Sequence, residues 1–455
     1  MVESTQVYLK HKRSLTGELS HRMGSAESQR LAAGDLSVIS RHTPITTGRE
    51  AELLLCCART HLDAKTLERL RFLLRQELDW PYLILTALTH HVLPLLYSSL
   101  RASNPEAVPK ASLVQLRDHY RANVQHSFFL TAELLKLLKL FETHQINAIP
   151  FKGPVLAASV YRDLSLRQFN DLDILVHKPH ILKAGRLLVS QGYQSSSTNG
   201  DALEHDFDHE EVAFLGPKYY TFCKPDRQIR VDLQWRITES YFSFSLDRKR
   251  LWERLVPVSI GGRNVLTFAP TDLLLILCVH GSKHRWEQLK WMCDVAELVR
   301  TYKEEIDWET VQQEASRQGV ERMLGLGLFL AHELLGTALP EKILKKILAD
   351  GATKSVAQQI RMKLFAQAND LPRDVKKVIF YLRTKDRWQD RLQFCFCYLS
   401  QWLRVMVTPT SIERKVLPLP DPFFFLYYFF RPLRLTVKHG WSALTHIYKR
   451  SNSAK

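Results

Sequence analysis

FKGPVLAASVYRDLSLRQFNDLDILV, residues 151–176, carries the most informative pattern in this chain of 455 residues. Lys152 and Gly153 follow an apolar run that indicates a short buried strand. Pro154 then opens an amphipathic segment that we predict to be a helix through Arg162, since proline suits the first helical position. Glycine before it permits a sharp turn. A helix N-terminus at this point would present backbone N–H groups to an anion.

Two aspartates stand near the end of the same stretch. In a β-strand, residues i and i+2 lie on one face, so Asp171 and Asp173 point the same way while Leu172 and Ile174 enter the core. Carboxylates that share a strand face repel each other, and their hard oxygens suit Mg²⁺. We therefore predict that a cation lies between these two aspartates.

A third carboxylate lies on a separate alternating segment. Residues 229–235, IRVDLQW, indicate a strand that carries Asp232. A strand adjacent to the first would bring Asp232 beside Asp171 and Asp173. Two-metal phosphoryl chemistry uses such a set, with ions roughly 3.5–4 Å apart that stabilise the attacking and leaving oxygens. The three aspartates are thus the predicted catalytic residues and metal ligands, with two Mg²⁺ ions expected and Mn²⁺ as an alternative.

These motifs resemble those of the uncharacterised bacterial nucleotidyltransferase family, which belongs to the polymerase-β-like superfamily. The likeness extends over roughly residues 50–441. It is carried by several short motifs: Lys152-Gly153 with Leu156, Tyr161 with Asp163, Leu166-Arg167, Asp171–Val176, Val231–Arg236, His280–His284 with Leu289, Trp291 and Asp294, Leu53–Thr60, and Arg431–Arg434.

The resemblance implies a fold and a reaction. The fold would be α+β, with a small mixed-sheet polymerase-β-like core between N- and C-terminal helical regions. The reaction would be Mg²⁺-dependent transfer of a nucleoside monophosphate from an NTP to a hydroxyl-bearing acceptor, with release of pyrophosphate. Asp232 would also help to deprotonate the acceptor. The nucleotide phosphates would contact Lys152, Gly153, Arg167 and Lys283, although a surface basic helix is the alternative for Lys283.

Two positions depart from the family pattern. The wider superfamily has Gly-Ser or Gly-Gly before the acidic pair, whereas this chain has Gly153-Pro154 and a longer gap to Asp171. The family often has histidine two residues after the third acid, whereas this chain has Gln234. The role of the side chain at position 234 is therefore open.

Length and composition predict a cytoplasmic protein of two or three domains. We find neither an apolar run of the roughly 18 residues needed to span a membrane nor a secretory signal. The 7 cysteines show no C-x-x-C pair, which favours reduced thiols over a zinc or disulfide framework. We predict four segments: a mobile polar tail at 1–47, a helical region at 48–144, the nucleotidyltransferase core at 145–269, and a helical region with a basic aromatic end at 270–455.

The C-terminal end is basic and aromatic. Residues 373–455 contain 16 Lys/Arg against 5 Asp/Glu, in a chain whose net charge is +16. They include the run PFFFLYYFF at 422–430, followed by Arg431 and Arg434. Packing of a C-terminal helix is one interpretation. Peripheral contact with the inner face of the membrane through 422–438 is another, and nucleic-acid binding is a less favoured third.

Two classes of function remain open from the sequence. The first is the nucleotidyltransferase, whose partners are an NTP and an unidentified small-molecule or macromolecular acceptor. The second is a non-catalytic nucleotidyltransferase-fold binding module that acts at a membrane surface or in a biosynthetic complex. Three intact carboxylates favour the enzyme, because a retired site has no need to hold like charges together. Nucleotide addition to RNA is less favoured, since the basic end lies far along the chain from the acidic pair.

Overall fold

The computed structural model describes residues 48–195, 219–225, 229–238, 244, 248–365, 373–409, 416–417 and 419–434. The predicted polar tail at 1–47 lies outside these ranges, as do residues 435–438 of the predicted membrane-contact segment. Among the described residues, no helix combines the length and the apolar character needed to cross a bilayer.

Helices fill the described chain before the sheet. Asp63 and Asp79 begin two of them by accepting hydrogen bonds from the backbone N–H groups of Thr66 and Tyr82. The apolar spacing of residues 80–99 predicts one helix, but the chain breaks it at His91, where φ is +56°. The helices are α1 (Arg49–Cys57), α2 (Ala64–Leu74), α3 (Trp80–Thr89), α4 (Leu93–Ser103) and α5 (Lys110–Thr143).

A mixed sheet of five strands forms the centre of the described core. Its order is β1-β2-β5-β4-β3, in which β2 and β5 are parallel and the other neighbours are antiparallel. This sheet confirms the predicted α+β class with a small mixed-sheet core. The strands are β1 (Ala148–Pro150), β2 (Leu172–Val176), β3 (Gln194–Ser195), β4 (Tyr219–Lys224) and β5 (Ile229–Gln234); α6 (Pro154–Ser159) and α7 (Ile181–Ser190) lie between them in the chain.

A predicted hairpin follows the sheet and leads into the second group of helices. Its strands are β6 (Val256–Ile260) and β7 (Arg263–Thr267), joined at Gly261 and Gly262, whose φ angles of +57° and +77° suit a tight two-residue turn. The remaining helices are α8 (Arg248–Glu253), α9 (Pro270–Lys283), α10 (Leu289–Thr301), α11 (Trp308–Gln318), α12 (Glu321–Leu335), α13 (Glu341–Ala349), α14 (Gly351–Leu364), α15 (Arg373–Thr384) and α16 (Trp388–Val407), before a 3₁₀ turn at Asp421–Leu426.

Two apolar cores explain how these elements are arranged. One core joins the sheet to the second half of α5 through Leu130, Leu134 and Phe141. The other core contains side chains from both helical regions, such as Leu54 of α1 and Met292 of α10. The helices before and after the sheet therefore pack on each other, and this packing places α10 beside the loop that leads into β2.

Trp286 anchors the turn between α9 and α10. Its ring is fully buried, and it packs between Gly281 of α9 and Gly327 of α12. A β-carbon at Gly281 would lie 2.5 Å from this ring, so a larger residue there would push the turn away. This turn sets the position of α10, which carries Lys290 and Asp294.

Candidate active site

The parallel pairing of β2 with β5 brings the predicted acidic residues together. Asp173 is the direct register partner of Asp232, and Asp171 stands two residues before Asp173, at the entry to β2. We call Asp171, Asp173 and Asp232 the acid cluster. The alternation of both strands explains the arrangement, because Leu172 and Ile174 are buried in the core while the aspartates share the other face.

The carboxylate of Asp173 contacts a cationic side chain and a neutral one. Lys152 Nζ lies 3.4 Å from its Oδ2 atom, and Gln234 Nε2 donates a hydrogen bond to its Oδ1 atom. Lys152 is buried, and its ammonium group also lies 4.9 Å from the centre of the Phe151 ring. The predicted phosphate-binding lysine is thus in contact with the acid cluster.

Asp232 is held by two residues of β4 and β5. Arg230 binds it in a bidentate manner, with Nε 3.0 Å from Oδ1 and Nη2 2.9 Å from Oδ2. The Thr221 hydroxyl donates to Oδ1 over 2.7 Å. Bidentate arginine–carboxylate pairs fix geometry as well as charge. The sequence predicts neither Arg230 nor Thr221 as a site residue, because its only signals are that Arg230 shares a strand with Asp232 and that Thr221 lies on a neighbouring strand.

Asp171 differs from the other two carboxylates. Within the described ranges its side chain has no ion pair and no hydrogen bond. Burial raises the pKa of Asp171 to about 6, the charges of Asp173 and Asp232 act in the same direction, and Lys152 and Arg230 oppose them. The acid cluster therefore holds more negative charge than its internal cations balance.

Gly153 fixes the turn that faces Asp171. Its backbone has φ +54° and ψ −126°, a conformation that side chains other than glycine rarely adopt. A β-carbon there would lie 3.2 Å from the carbonyl oxygen of Asp171. The close approach of these two backbone segments explains why glycine is required at this position.

The helix after Gly153 is shorter than predicted. The sequence pattern predicts a helix through Arg162, but α6 ends at Ser159 and Arg162 has φ +58°. Two side chains at the end of α10 donate hydrogen bonds to backbone carbonyl groups at the end of α6. Thr301 donates to the carbonyl of Val160, and Tyr302 donates to the carbonyl of Ser159. These contacts turn the chain towards α10.

Arg167 lies in a buried ion pair. Its Nε and Nη2 atoms lie 2.8 and 2.9 Å from the two carboxylate oxygens of Asp294, and the Tyr161 hydroxyl donates to the same carboxylate over 2.7 Å. Burial would lower the pKa of Arg167, but the adjacent Asp294 charge outweighs it and raises the pKa. The pair attaches the loop before β2 to α10. Phosphate binding by Arg167 stays a prediction.

Lys290, at the start of α10, lies among the charged groups of the site. Burial lowers its pKa and Arg167 adds to that effect, whereas Asp171 opposes it. Lys283 ends α9, and its carbonyl accepts a hydrogen bond from Tyr381 over 2.5 Å. Lys283 is the predicted phosphate-binding residue of this segment. Lys290 lies seven residues after Lys283, and the turn around Trp286 directs it towards the acid cluster.

Three aromatic rings pack together where α9 meets α10. The His284 and Trp291 rings stack with centres 4.8 Å apart, and His280 packs edge-on against His284 at 4.7 Å. The Lys290 ammonium lies 5.8 Å from the centre of the Trp291 ring. The His280–His284 motif therefore packs on the ring that lies beside Lys290.

The acid cluster suits a divalent cation in its donor types. Carboxylate and amide oxygens are the ligands that Mg²⁺ and Mn²⁺ prefer. Among the described residues, no cationic side chain forms an ion pair with Asp171. In the described part of the chain, no three acidic, histidine or cysteine side chains are already arranged around one metal position. The reason is visible in the contacts, because Asp173 and Asp232 are turned towards Lys152 and Arg230.

A comparison with protein families assigns the chain. A family model described as an uncharacterised nucleotidyltransferase matches residues 76–336, which is more than half of the chain. The chain belongs to this family. No curated protein and no solved structure matched it. The matched part of the chain contains the whole acid cluster, Lys152, Arg167, Lys290 and Asp294, and it ends before the basic aromatic segment.

Proposed function

We propose that this protein transfers a nucleoside monophosphate from an NTP to a hydroxyl-bearing acceptor, in a Mg²⁺-dependent reaction that releases pyrophosphate. Family membership supports nucleotidyl transfer in general terms. The observation that carries the finer proposal is the acid cluster, in which Asp173 faces Asp232 across parallel strands and Asp171 has no partner in the described chain.

The acid cluster would hold the metal ions through the carboxylates of Asp171, Asp173 and Asp232. Two bound Mg²⁺ ions would supply charge stabilisation for the attacking and leaving oxygens. The raised pKa of Asp171 supports this assignment, since a nearby cation would offset both the burial and the repulsion that raise it.

The cations beside the cluster are placed to receive phosphate. Lys152 already contacts Asp173, and Lys290 stands near Asp171 and Arg167. An incoming triphosphate would offer both lysines new anionic partners. These contacts would orient the α-phosphorus towards the acceptor, and phosphoryl transfer depends mostly on such positioning and charge stabilisation.

Asp232 is the proposed base for the acceptor. In the balanced reaction, the acceptor oxygen bonds to the α-phosphorus while the bond from that phosphorus to pyrophosphate breaks. The hydroxyl proton passes to Asp232. Arg230 and Thr221 orient this carboxylate through the three hydrogen bonds described above.

The proposal is tested by calorimetric titration of the four NTPs with Mg²⁺. We expect the wild-type protein to bind at least one NTP only when Mg²⁺ is present, and Asp171→Asn/Asp173→Asn to lose this binding. Asp118→Asn is the matched control, because Asp118 is an exposed aspartate of α5. A folded wild-type protein that binds none of the NTPs would contradict the proposal. If an NTP binds, a screen of acceptors with the labelled NTP would identify the acceptor substrate.

A membrane-associated binding module is the second candidate function, and one surface favours it. Apolar residues at helical spacing form an exposed stripe along α16, and further apolar residues are exposed in and after the 3₁₀ turn. Phe396 is 70 % exposed and Phe429 is 73 % exposed. The exposed apolar residues of this membrane-contact surface are Trp388, Leu392, Phe396, Leu399, Leu403, Phe423, Phe425, Phe429 and Leu433.

The charge of the same region indicates an anionic partner. Residues 373–455 carry an excess of 11 positive charges over acidic side chains. Tyr427 is buried, with its hydroxyl donating to the Leu417 carbonyl over 2.6 Å, whereas Phe423, Phe425 and Phe429 are exposed. Exposed rings with basic flanks are typical of helices that lie in a membrane interface.

Sedimentation with lipid vesicles tests the membrane contact. We expect the protein to sediment with vesicles that contain anionic lipid and to remain free with neutral vesicles. Phe425→Ser/Phe429→Ser should reduce binding, whereas Phe72→Ser, at an exposed ring of α2, should not. Equal binding by the double variant would contradict this role. Binding to RNA without binding to vesicles would favour the nucleic-acid alternative.

A further inference from the structure

We propose that Gln234 is an oxygen ligand of the divalent cation that Asp173 binds. This inference rests on the proposed function, because it concerns the same metal site. It adds a neutral fourth ligand to the three carboxylates and assigns a role to the position where the chain departs from the family pattern.

The position of Gln234 places it in the acid cluster. It lies two residues after Asp232 on β5, so both side chains lie on the same face of the strand. Its register partner on β2 is Leu175, two residues after Asp173. The side chain is 1 % exposed. Gln234 is therefore enclosed beside the carboxylates, where bulk water does not solvate it.

One atom of Gln234 has no partner. Its Nε2 atom donates to Asp173 Oδ1, but its Oε1 atom is fully buried without a hydrogen-bond donor among the described residues. Burial of an acceptor without a donor is costly, and native proteins seldom leave one in this state. A group absent from the polypeptide is the simplest way to satisfy this oxygen.

Rotation of the amide does not remove the problem. A half-turn about the Cγ–Cδ bond would place Oε1, in place of Nε2, against Asp173 Oδ1. Two oxygens at that separation attract each other only when a cation or a proton lies between them. The rotated amide would therefore need a cation or a proton beside Oε1, just as the observed orientation leaves Oε1 without a donor among the described residues.

A divalent cation satisfies Oε1 in the rotated orientation. Amide carbonyl oxygens are ordinary ligands of hard divalent ions. In the metal-free protein, Nε2 holds the Asp173 carboxylate in place. With an ion bound, Asp173 and Gln234 would each offer it an oxygen. The exchange of Nε2 for Oε1 would be a rotation within the side chain, so it would require no movement of the backbone.

A purely structural role makes a different prediction. If Gln234 only donates to Asp173 and orients it, removal of the amide weakens the binding of all divalent ions to a similar degree and leaves the preference among them unchanged. If Gln234 is a ligand, a change of its donor atom also changes that preference.

Mn²⁺ titration of the full-length protein, followed by the electron paramagnetic resonance signal of the free ion, tests whether Gln234 contributes to cation binding, and the Co²⁺ to Mg²⁺ preference of Gln234→His described below separates the two roles. Gln234→Met keeps the length of the side chain and removes both polar atoms. We expect it to weaken Mn²⁺ binding about ten-fold or more. Gln234→Glu keeps an oxygen and adds a charge, so it should bind Mn²⁺ at least as tightly as wild type. Asp173→Asn should lose binding.

The outcomes distinguish this inference from the proposed function. Unchanged or tighter binding by Gln234→Met, together with loss of binding by Asp173→Asn, would overturn the role of Gln234 and leave the metal site intact. A folded wild-type protein that does not bind Mn²⁺, with or without NTP, would overturn both proposals.

A second variant covers the case in which Gln234→Met does not fold. Gln234→His replaces the oxygen with a nitrogen ligand, which favours Co²⁺ over Mg²⁺. We expect the ratio of Co²⁺ to Mg²⁺ affinity to rise about ten-fold relative to wild type. An unchanged ratio in a folded protein would overturn the inference, because a residue outside the coordination sphere does not alter metal preference in this way.

Discussion

Two groups of charged side chains lie close together in the chain and differ in how well their charges are balanced. Arg167, Asp294 and Tyr161 form a buried network in which both carboxylate oxygens of Asp294 accept hydrogen bonds. The acid cluster begins four residues after Arg167, and there Asp171 has no partner within the described chain. In the first group, the carboxylate has partners for both of its oxygens. In the acid cluster, the carboxylate of Asp171 has none within the described chain.

This difference separates structural charges from functional ones. A buried ion pair that is fully hydrogen-bonded can fix the position of a loop. Like charges held together with too few counter-ions raise the free energy of the protein, and clusters of this kind are typical of functional sites. The Arg167–Asp294 pair therefore fixes the loop before the cluster, while the cluster keeps an excess of negative charge.

The largest expected effect comes from Asp171→Asn. We expect nucleotidyl transfer to fall by roughly 10³-fold, because metal stabilisation of the transition state amounts to several kcal/mol. The Tm of the metal-free protein should rise, since the variant removes a carboxylate that repels Asp173 and Asp232. Activity assays and thermal unfolding check the two expectations. A lower Tm would contradict the view that the cluster is strained without its cation.

Arg167→Met should have the opposite effect on stability. It leaves the Asp294 carboxylate buried without its cation, which should lower the free energy of unfolding by about 3–5 kcal/mol. Urea denaturation measures the change. Arg167→Met combined with Asp294→Leu is the control, because loss of both charges leaves neither one buried alone and should restore part of the stability. If the single variant is as stable as wild type, the pair does not anchor the loop.

His90 extends the comparison to a buried group that is neutral. Leu289 donates its N–H to His90 Nδ1 over 3.3 Å, and burial lowers the pKa of His90 to about 4. Between pH 6.5 and 4, the unfolded chain therefore binds more protons than the folded protein, and stability falls as the pH falls.

The pH dependence is measured by urea unfolding at pH 7 and pH 5. We expect wild type to lose about 2 kcal/mol from His90 between these values. His90→Gln cannot titrate and should show a correspondingly weaker dependence on pH. An equal pH dependence of the two proteins would show that His90 is not held neutral between α3 and α10.

Gly153→Ala should reduce stability by an amount similar to the His90 effect. The positive φ should cost about 1–3 kcal/mol of stability, and the new methyl group should displace the backbone of Asp171. Gly262→Ala is the control, because it has a positive φ but no neighbouring atom within 4 Å of the added carbon. We expect only Gly153→Ala to weaken NTP binding. Equal NTP binding by both variants would show that the turn does not position the acid cluster.

Residue alternation was sufficient to predict the central part of this site. It predicts that Asp171 and Asp173 share a face, and it predicts the strand that carries Asp232. The paired glycines likewise predict the hairpin. Side-chain direction in a strand follows from local geometry, so these features did not require knowledge of distant contacts. The catalytic and metal-binding roles stay predictions.

Contacts between distant segments were not predictable in the same way. Arg167 was expected to bind phosphate, and a guanidinium group suits phosphate and carboxylate equally well. Its partner Asp294 lies 127 residues later, and the choice between the two depends on how α10 packs. The contact of Gln234 with Asp173 depends on the parallel register of β2 and β5, which alternation alone does not specify.

The long separation between Arg167 and Asp294 also matters while the protein is being made. At synthesis rates of about 5–20 residues per second, α10 leaves the ribosome roughly 6–25 s after the loop that carries Arg167. During that interval the loop lacks its anchor, so the nascent chain cannot hold Asp171 in its final position. The acid cluster is therefore assembled late in translation, and a chain truncated before α10 would contain all three aspartates without the contact that anchors the loop before them.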